Sequence, residues 1–323
     1  MAKIPSSGFK VFLVSGVSML GAKPKSVVDK VTNVLQANTH GLGDEWVEHS
    51  ATGQLRGELS QAGAFFDTAT DGMHQAWKAL TNVARLVMYA ISGNTIGQIF
   101  VGWQGVYEGS YDALAKVGGL VEANATYAVS GQVDRGLIVQ DWTAKTADWT
   151  GPGVDFTLDP LNASVPITSN SAANPSVVTT PVPHKLTTGD RVLISGVAGS
   201  NADINGERVV TVLSATTFSV PVNATTSGGT GGQFVRASTS AGAVGYLAAS
   251  AASGFTNFVG TLEHSDDDVS YSTLLTFTDN VAAPFAERKT VAGTVKRYVR
   301  FKGDVTGSGS ITPFAGVSRN PPA

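Results

Sequence analysis

The sequence predicts a mainly β protein: a β-barrel or sandwich with one flanking α-helix, followed by a β-sandwich that carries an inserted small β-barrel. Three observations predict it. The composition has 37 Gly, 42% hydrophobic and only 15% charged residues, with Thr and Val filling much of the rest, a balance suited to pleated surfaces and turns. Strand-length runs alternate apolar and polar residues, and clusters of turn formers separate them at regular intervals. Finally, 323 residues exceed what one core usually organises, about 250, so more than one core is expected.

Phe9 to Ser15 predicts the first strand. In the next segment, "GAKPKSVVDKVTNVLQANTHGL", Val27, Val31, Val34 and Leu35 fit either a helix or a strand, and periodicity leaves both open. From Arg56 to Asp67 the alternation is clear, with Leu59, Gly63 and Phe65 opposing Glu58, Ser60 and Ala64. That run predicts a half-buried strand. The helix follows in "TATDGMHQAWKAL", where Asp71 is the N-cap and Met73, Trp77 and Leu80 recur at helical spacing. "RLVMYAI", "GQIFVGWQGVYEGSYDAL", "LVEANATYAVSG" and "QVDRGLIVQDW" then return to alternation. Val121, Ala123, Ala125, Tyr127 and Val129 oppose Glu122, Asn124, Thr126 and Ser130, and Tyr107 and Tyr111 oppose Glu108, Ser110 and Asp112. Residues 1–145 therefore predict one antiparallel unit with a helix against it.

A change of texture near Thr143, rich in Pro, Gly, Ser and Asn, marks a connection. Val154 to Leu158 predicts the first strand of a C-terminal sandwich made of residues 146–170 and 237–323. Into it is inserted a module, residues 171–236, with strands at Val177 to Thr180, Arg191 to Ser195, Glu207 to Leu213 and Thr217 to Val222. The turn-forming "TTGD" and "SNADING" join those strands, and "TSGGTGGQF" predicts a flexible connection back to the host.

Charge and cysteine content exclude several classes. With no cysteine there is neither a disulfide framework nor a thiolate metal site. A net charge of −3 without any block of like charges argues against a sequence-reading nucleic-acid binder, which draws its affinity from phosphate neutralisation. The N-terminal "MAKIPSSGFKVFLVSGVSMLGAKPK" makes a poor signal peptide, and no run approaches the roughly 20 apolar residues of a membrane helix. A soluble protein, intracellular when made, is the expectation.

Three stretches together resemble the major tail tube proteins of long-tailed bacteriophages. "GLGDEWVEHSATGQLRGELSQAGAFFD" followed by "DGMHQAW" is similar to that family's loop, strand and helix order. "PHKLTTGDRVLISGV" through "NGERVVTVLSATTFSV" resembles the small half-domain barrel of ubiquitin-activating enzymes, a module that recurs in phage tail proteins. "VGYLAASAASGFTNFVGTLEHSDDDVSYSTLLTF" with "VAGTVKRYVRFKGDVTGSGSITPFAGV" is similar to sandwich modules appended to phage structural proteins. The resemblance implies a virion protein, made in the host cytoplasm, that self-assembles into hexameric rings stacked as a hollow tube. Its partners would be further copies of itself, the tape measure, terminator and distal tail proteins, and DNA in non-specific passage. Outer modules would decorate the tail and make weak host-surface or glycan contact.

A channel that lets DNA slide needs a neutral or acidic wall. Glu58, Glu108, Asp112, Glu122 and Asp134 are the candidate lumen-facing residues, with an ordinary solvated strand face as the plain alternative. The most ionisable stretch, "HGLGDEWVEHS" from His40 to Ser50, lacks metal-ligand spacing and is broken by glycines. Asp44, Glu45, Trp46 and Glu48 within it form a candidate subunit or ring contact loop, with Trp46 as the anchoring residue. "HSDDDVS" (His264 to Ser270) lacks calcium-loop spacing and predicts a solvated hairpin turn. In "KRYVRFK" (Lys296 to Lys302) the basic residues alternate with apolar ones, as on a sheet face. No nucleophile elbow is present, so no enzyme, cofactor or metal is predicted. A carbohydrate-binding or adhesin-like surface sandwich is the alternative function, disfavoured because Trp103, Trp142 and Trp149 are scattered and residues 237–323 of the sandwich hold no Trp.

Overall fold

A computed structural model describes residues 10–14, 26–38, 49–65, 85–90, 93–114, 122–129, 133–160, 162–200, 203–280 and 285–320. Strands dominate them. The first seven are β1 (Lys10–Val14), β2 (Ser26–Asn38), β3 (His49–Phe65), β4 (Arg85–Ala90), β5 (Ile99–Leu114), β6 (Glu122–Val129) and β7 (Val133–Gln140). Short pieces follow: β8 (Trp149–Thr150), β9 (Val154–Asp155), β10 (Val165–Pro166), β11 (Ser169–Asn170), β12 (Ser176–Thr179), β13 (Arg191–Ser195), β14 (Gly206–Val209), β15 (Thr211–Val212), β16 (Thr217–Val220) and β17 (Gln233–Arg236). Four more complete the chain: β18 (Ala243–Ser265), β19 (Ser272–Thr276), β20 (Phe285–Val291) and β21 (Tyr298–Arg319).

The ambiguous segment after Gly21 is a strand, β2, in keeping with its β-branched Val27, Val28, Val31, Thr32 and Val34. The expected strand at Val154 to Leu158 is corrected: extended backbone stops at Asp155, whose Oδ1 accepts from the Thr157 amide at 2.9 Å and caps a 3₁₀ turn over Phe156–Leu158. The expected helix from Asp71 to Leu80 lies outside the described residues.

One sheet of 13 strands runs in the order β19-β18-β21-β7-β5-β6-β3-β2, with β1, β4, β8, β9 and β20 attached to its flanks. Strands of residues 1–145 and of the C-terminal segment thus share a single hydrogen-bonded sheet, joined where Leu137 and Ile138 of β7 pair with Val317 and Gly316 of β21. Strand β5 links its parts. Ile99–Trp103 pairs with β7, and Val106–Leu114 pairs with β6.

The longest strands, β18 and β21, pair antiparallel from Ala243↔Arg319 to Ser265↔Tyr298. Register breaks between Ala249 and Asn257 bend the pair, and Gly254 (φ +72°) and Gly307 (φ +103°) take left-handed backbone at the corner. The two halves then face each other. A Cβ on Gly245 would meet Leu262 Cδ1 at 2.7 Å, and one on Gly260 would meet Leu247 Cδ2 at 2.8 Å. Between them lies a core of Leu247, Phe258, Leu262, Phe277, Val299, Phe301, Ile311 and Val317. Each buried phenylalanine there contributes about 2–3 kcal/mol. Trp149 stacks on Phe258 with ring centroids 5.9 Å apart, so the sandwich does take in a tryptophan.

The opposite face of β18 is buried too. Val244, Tyr246 and Ala248 pack with Met88, Phe100, Ile138, Trp142 and Phe314 as the sheet curls and brings β4 close to β20. Burial on both faces accounts for the nearly continuous apolar run "AVGYLAASA".

The inserted module is two four-stranded sheets, β10-β17-β13-β14 and β11-β12-β16-β15. Their shared core is Val178, Val192, Ile194, Phe218, Val220 and Phe234, and β10 and β11 contribute from before the boundary expected at residue 171. The glycine-rich "TSGGTGG" is not a loose connection, as the sequence suggested. Gly229 donates its amide to buried Asn170 Oδ1 at 2.8 Å, and Thr230 exchanges backbone bonds with Ala198, so small residues serve close packing here.

Gly102 makes room for the Tyr246 ring: an added Cβ would sit 2.5 Å from it. That ring is held by hydrogen bonds at its hydroxyl and cannot retreat. Gly102→Ala is expected to destabilise the protein by about 2 kcal/mol, read as a lower urea midpoint at unchanged slope.

Candidate functional site

Sequence reasoning singled out surfaces, and three regions of the structure bear on them. The first is the four-stranded antiparallel arm β5-β6-β3-β2, which carries four of the five candidate lumen carboxylates. Cross-strand partners share a face, and successive residues alternate. Glu58 stands opposite Ala128, Asp112 opposite Asn124, and Glu122 opposite Phe65 and Leu114. Along β6 these partners fall at residues 122, 124 and 128, positions of one parity in the backbone register.

A register shift between Glu108 and Ser110 places Glu108 opposite Tyr127, so strict alternation does not carry through β5. The sequence put Glu108 and Asp112 on one face because strict alternation cannot anticipate an extra residue in the strand.

Asp134 is the clear correction. Its side chain is 1% exposed, inside the curled sheet, and not on a wall. The Tyr246 hydroxyl donates to Asp134 Oδ2 at 2.5 Å and Arg288 Nε donates to the same oxygen at 2.8 Å. This ties β7, β18 and β20 together across an otherwise apolar interior. Burial and the Asp134 charge both push the Tyr246 phenol well above its ordinary range, so it remains a donor. Asp44, Glu45, Trp46 and Glu48 lie outside the described residues, as does His40; the chain is described again at His49, where β3 begins.

The second region is the acidic turn after β18. Its three aspartates diverge: Asp266 faces Arg191 and Lys296 at 3.8 and 3.7 Å, Asp267 accepts from the Val269 and Ser270 amides, and Asp268 accepts from the Tyr271 hydroxyl. The turn is internally bonded, and among the described residues no three His, Cys, Asp or Glu side chains converge as metal ligands. The basic run beside it is matched charge for charge. Arg297 meets Asp155 and Glu207, Arg300 meets Glu263, Lys302 meets Asp304, and Lys296 faces Asp266.

The third region, which sequence reasoning missed, is the junction between module and sandwich. Arg297, just before β21, donates to Asp155 of β9 at 2.6 Å and to Glu207 of β14 at 3.2 Å. Glu207 also accepts from Arg191 of β13 at 2.6 Å. Arg319 donates to the Ala237 carbonyl at 3.0 Å and lies over the Phe156 ring at 4.5 Å. Asn162 Nδ2 bonds the carbonyls of Phe156 and Arg236 at 3.1 and 2.8 Å. These partners come from segments as much as 163 positions apart, as for Arg319 and Phe156, so no local pattern announces them.

Asp155 shows the balance of forces. Burial alone would raise its pKa, but hydrogen bonds from Arg297 and Thr157 outweigh that and hold it below the ordinary carboxylate value. Trp103 and Trp142 are buried at 1% and 8% exposure, and Trp149 packs in the sandwich core. None of the three forms a displayed aromatic platform of the kind a glycan-binding face uses.

No protein-family model matches the chain, and no curated protein matches it. Among solved structures, it is similar to a chain from the tail of an empty GTA particle with C6 symmetry, at 13% identity and a TM-score of 0.30, covering 41% of this chain and 97% of that one. It is also similar to the SPP1 Dit protein, described as a hub adsorption apparatus in phages infecting Gram-positive bacteria. There the identity is 10% and the TM-score 0.29, covering 96% of this chain and 98% of that one. Scores this low do not establish a common fold.

The polar contacts lead to three expected outcomes. Arg288→Met, which leaves the buried Asp134 carboxylate without its cation, is expected to cost about 3–5 kcal/mol. Tyr246→Phe, which removes one donor, is expected to cost about 1–2 kcal/mol in the same denaturation experiment. For Asp155, the folded pKa is the lower one, so its stabilisation is complete above the unfolded value of about 3.9 and is lost as pH falls through the folded value. Acid titration of stability should therefore be shallower below about pH 4 in Asp155→Asn than in the wild type.

Proposed function

We propose that this chain is a non-catalytic structural protein of a bacteriophage tail, the major tail tube subunit, which assembles into stacked, hexameric rings around a channel for DNA. The observation that carries this reading is the arm β5-β6-β3-β2. Its outer strands are β2 and the second half of β5, and among the described residues Tyr107–Leu114 pairs on one side only, with β6. Long sheet edges invite pairing with another chain. Addition of one copy's β2 to the next copy's β5 joins unlike edges head to tail, and such a contact closes into a ring when the rotation permits.

The family resemblance of "GLGDEWVEHSATGQLRGELSQAGAFFD" supports the same reading, since it leads from the proposed contact loop into β3, a strand of this arm. A face carrying Glu58, Asp112 and Glu122 is suited to a wall that DNA does not adhere to. In this arrangement the inserted module and the sandwich lie outside the tube and decorate it. The tape measure, terminator and distal tail proteins are the partners at its ends and within it.

Negative-stain microscopy of concentrated protein and of virions tests this directly: hollow tubes of stacked rings containing this chain are the expected result. Virions whose tube is built from a different chain would sink the reading. Trp46→Ala is expected to raise the concentration needed for tube formation at least tenfold, for a contact worth roughly 2 kcal/mol, with the subunit's melting transition unchanged. A large drop in melting temperature would instead place Trp46 in the subunit's own core.

A further inference from the structure

The module and its host meet through two kinds of contact at different distances from the tethers. At the tethers Asn162 bonds the Arg236 carbonyl and Arg319 the Ala237 carbonyl, at and just past the end of β17, and the Ser240 amide donates to Asp190 Oδ1 at 3.0 Å. The 3₁₀ turn at Phe156–Leu158 lies against the same strand. Two strands further out, on β14 in the order β10-β17-β13-β14, stands Glu207. At about 4.8 Å per strand this is roughly 10 Å from β17. There the contact is ionic, Arg297 to Glu207 at 3.2 Å, with Arg297 oriented by Asp155 and Glu207 by Arg191. A longer approach, Arg191 to Asp266 at 3.8 Å, lies beside it. Among the described residues apolar packing does not bridge the gap: the cluster built on Phe218 and Phe234 is made of module residues alone, and the cluster built on Phe258 and Phe301 contains none of them.

We propose that the module is a swinging unit, pivoting at its two tethers and held in one pose by an electrostatic latch centred on Glu207. The carbonyl-directed bonds define the pivot, and the charge chain Asp155, Arg297, Glu207, Arg191, Asp266 sets the angle. Glu207 and Arg297 are 19% and 20% exposed, so solvent ions reach the pair. Screening the chain, or removing the one module carboxylate that both arginines share, frees the module while both cores stay folded. A decorated assembly would thereby present the module in a fixed direction at low ionic strength and sweep a wider surface at high ionic strength.

The test uses the full chain in two comparisons. In the first, small-angle scattering and protease cleavage at residues 159–164 and 237–242 are measured in dilute buffer and in about 1 M salt, where the Debye length is roughly 3 Å. In the second, Glu207→Gln is compared with the wild type in dilute buffer. Hydrogen exchange at Val178 and Phe218 monitors the module core in both. Larger maximum dimensions and at least tenfold faster linker cleavage, in salt and in the variant, with exchange still slow, are the expected outcome. Unchanged scattering and cleavage in either comparison would overturn the latch, because neutral contacts would then be holding the module. Undocking accompanied by fast exchange in the module would overturn it as well, since release would then be unfolding.

Discussion

The bent pair of β18 and β21 is the constraint on which the remaining structure depends. A strand pair of this length, left straight, would expose one apolar face along its whole course. The register breaks around Ala249 to Asn257 and the left-handed glycines at 254 and 307 fold it back, so Leu247 meets the ring of Phe301 across Gly260. This single turn makes the sandwich core. It also frees the opposite face of Val244, Tyr246 and Ala248 to build a second core against β4, β5 and β7. Strands near the chain's start and end are thereby held in one sheet, and the arm that extends along β5 inherits its position from them.

Polar groups act in this framework as fasteners at places where packing leaves orientation undetermined. The Asp134, Tyr246 and Arg288 cluster joins three strands inside an apolar interior. The net stabilisation from a buried ion pair is small, because desolvation offsets much of its attraction, while removing one partner alone is costly. At the module junction the same chemistry is nearer to solvent, where attraction is smaller and more easily screened. The contrast follows from exposure: 1% for the Asp134 side chain against 19% for that of Glu207.

Much of the strand content was legible in the residues. β1, β4, β6, β7, β13 and β16 fall where alternation and turn residues put them, because strand-length periodicity is carried by each segment itself. Places where the reading went astray share a cause. One extra residue in β5 shifts the register at Glu108, the run after Val154 bent because Asp155 caps a turn, and "TSGGTGG" proved packed because Asn170 reaches its backbone from far away in sequence. The candidate sites were legible to a lesser degree. Asp134 has the alternation of a surface carboxylate, yet a partner 154 positions away holds it inside the sheet.

By itself, then, the sequence determined the mainly β class and the absence of cysteine chemistry. Those properties follow from composition and from short-range period, which any stretch of chain carries within itself. Only the tertiary structure decided which strands share a sheet, which carboxylates are buried and which charges fasten the module. Such outcomes depend on contacts between distant segments, and the free energy of a carboxylate is set by what surrounds it in space, which neighbours in sequence do not specify.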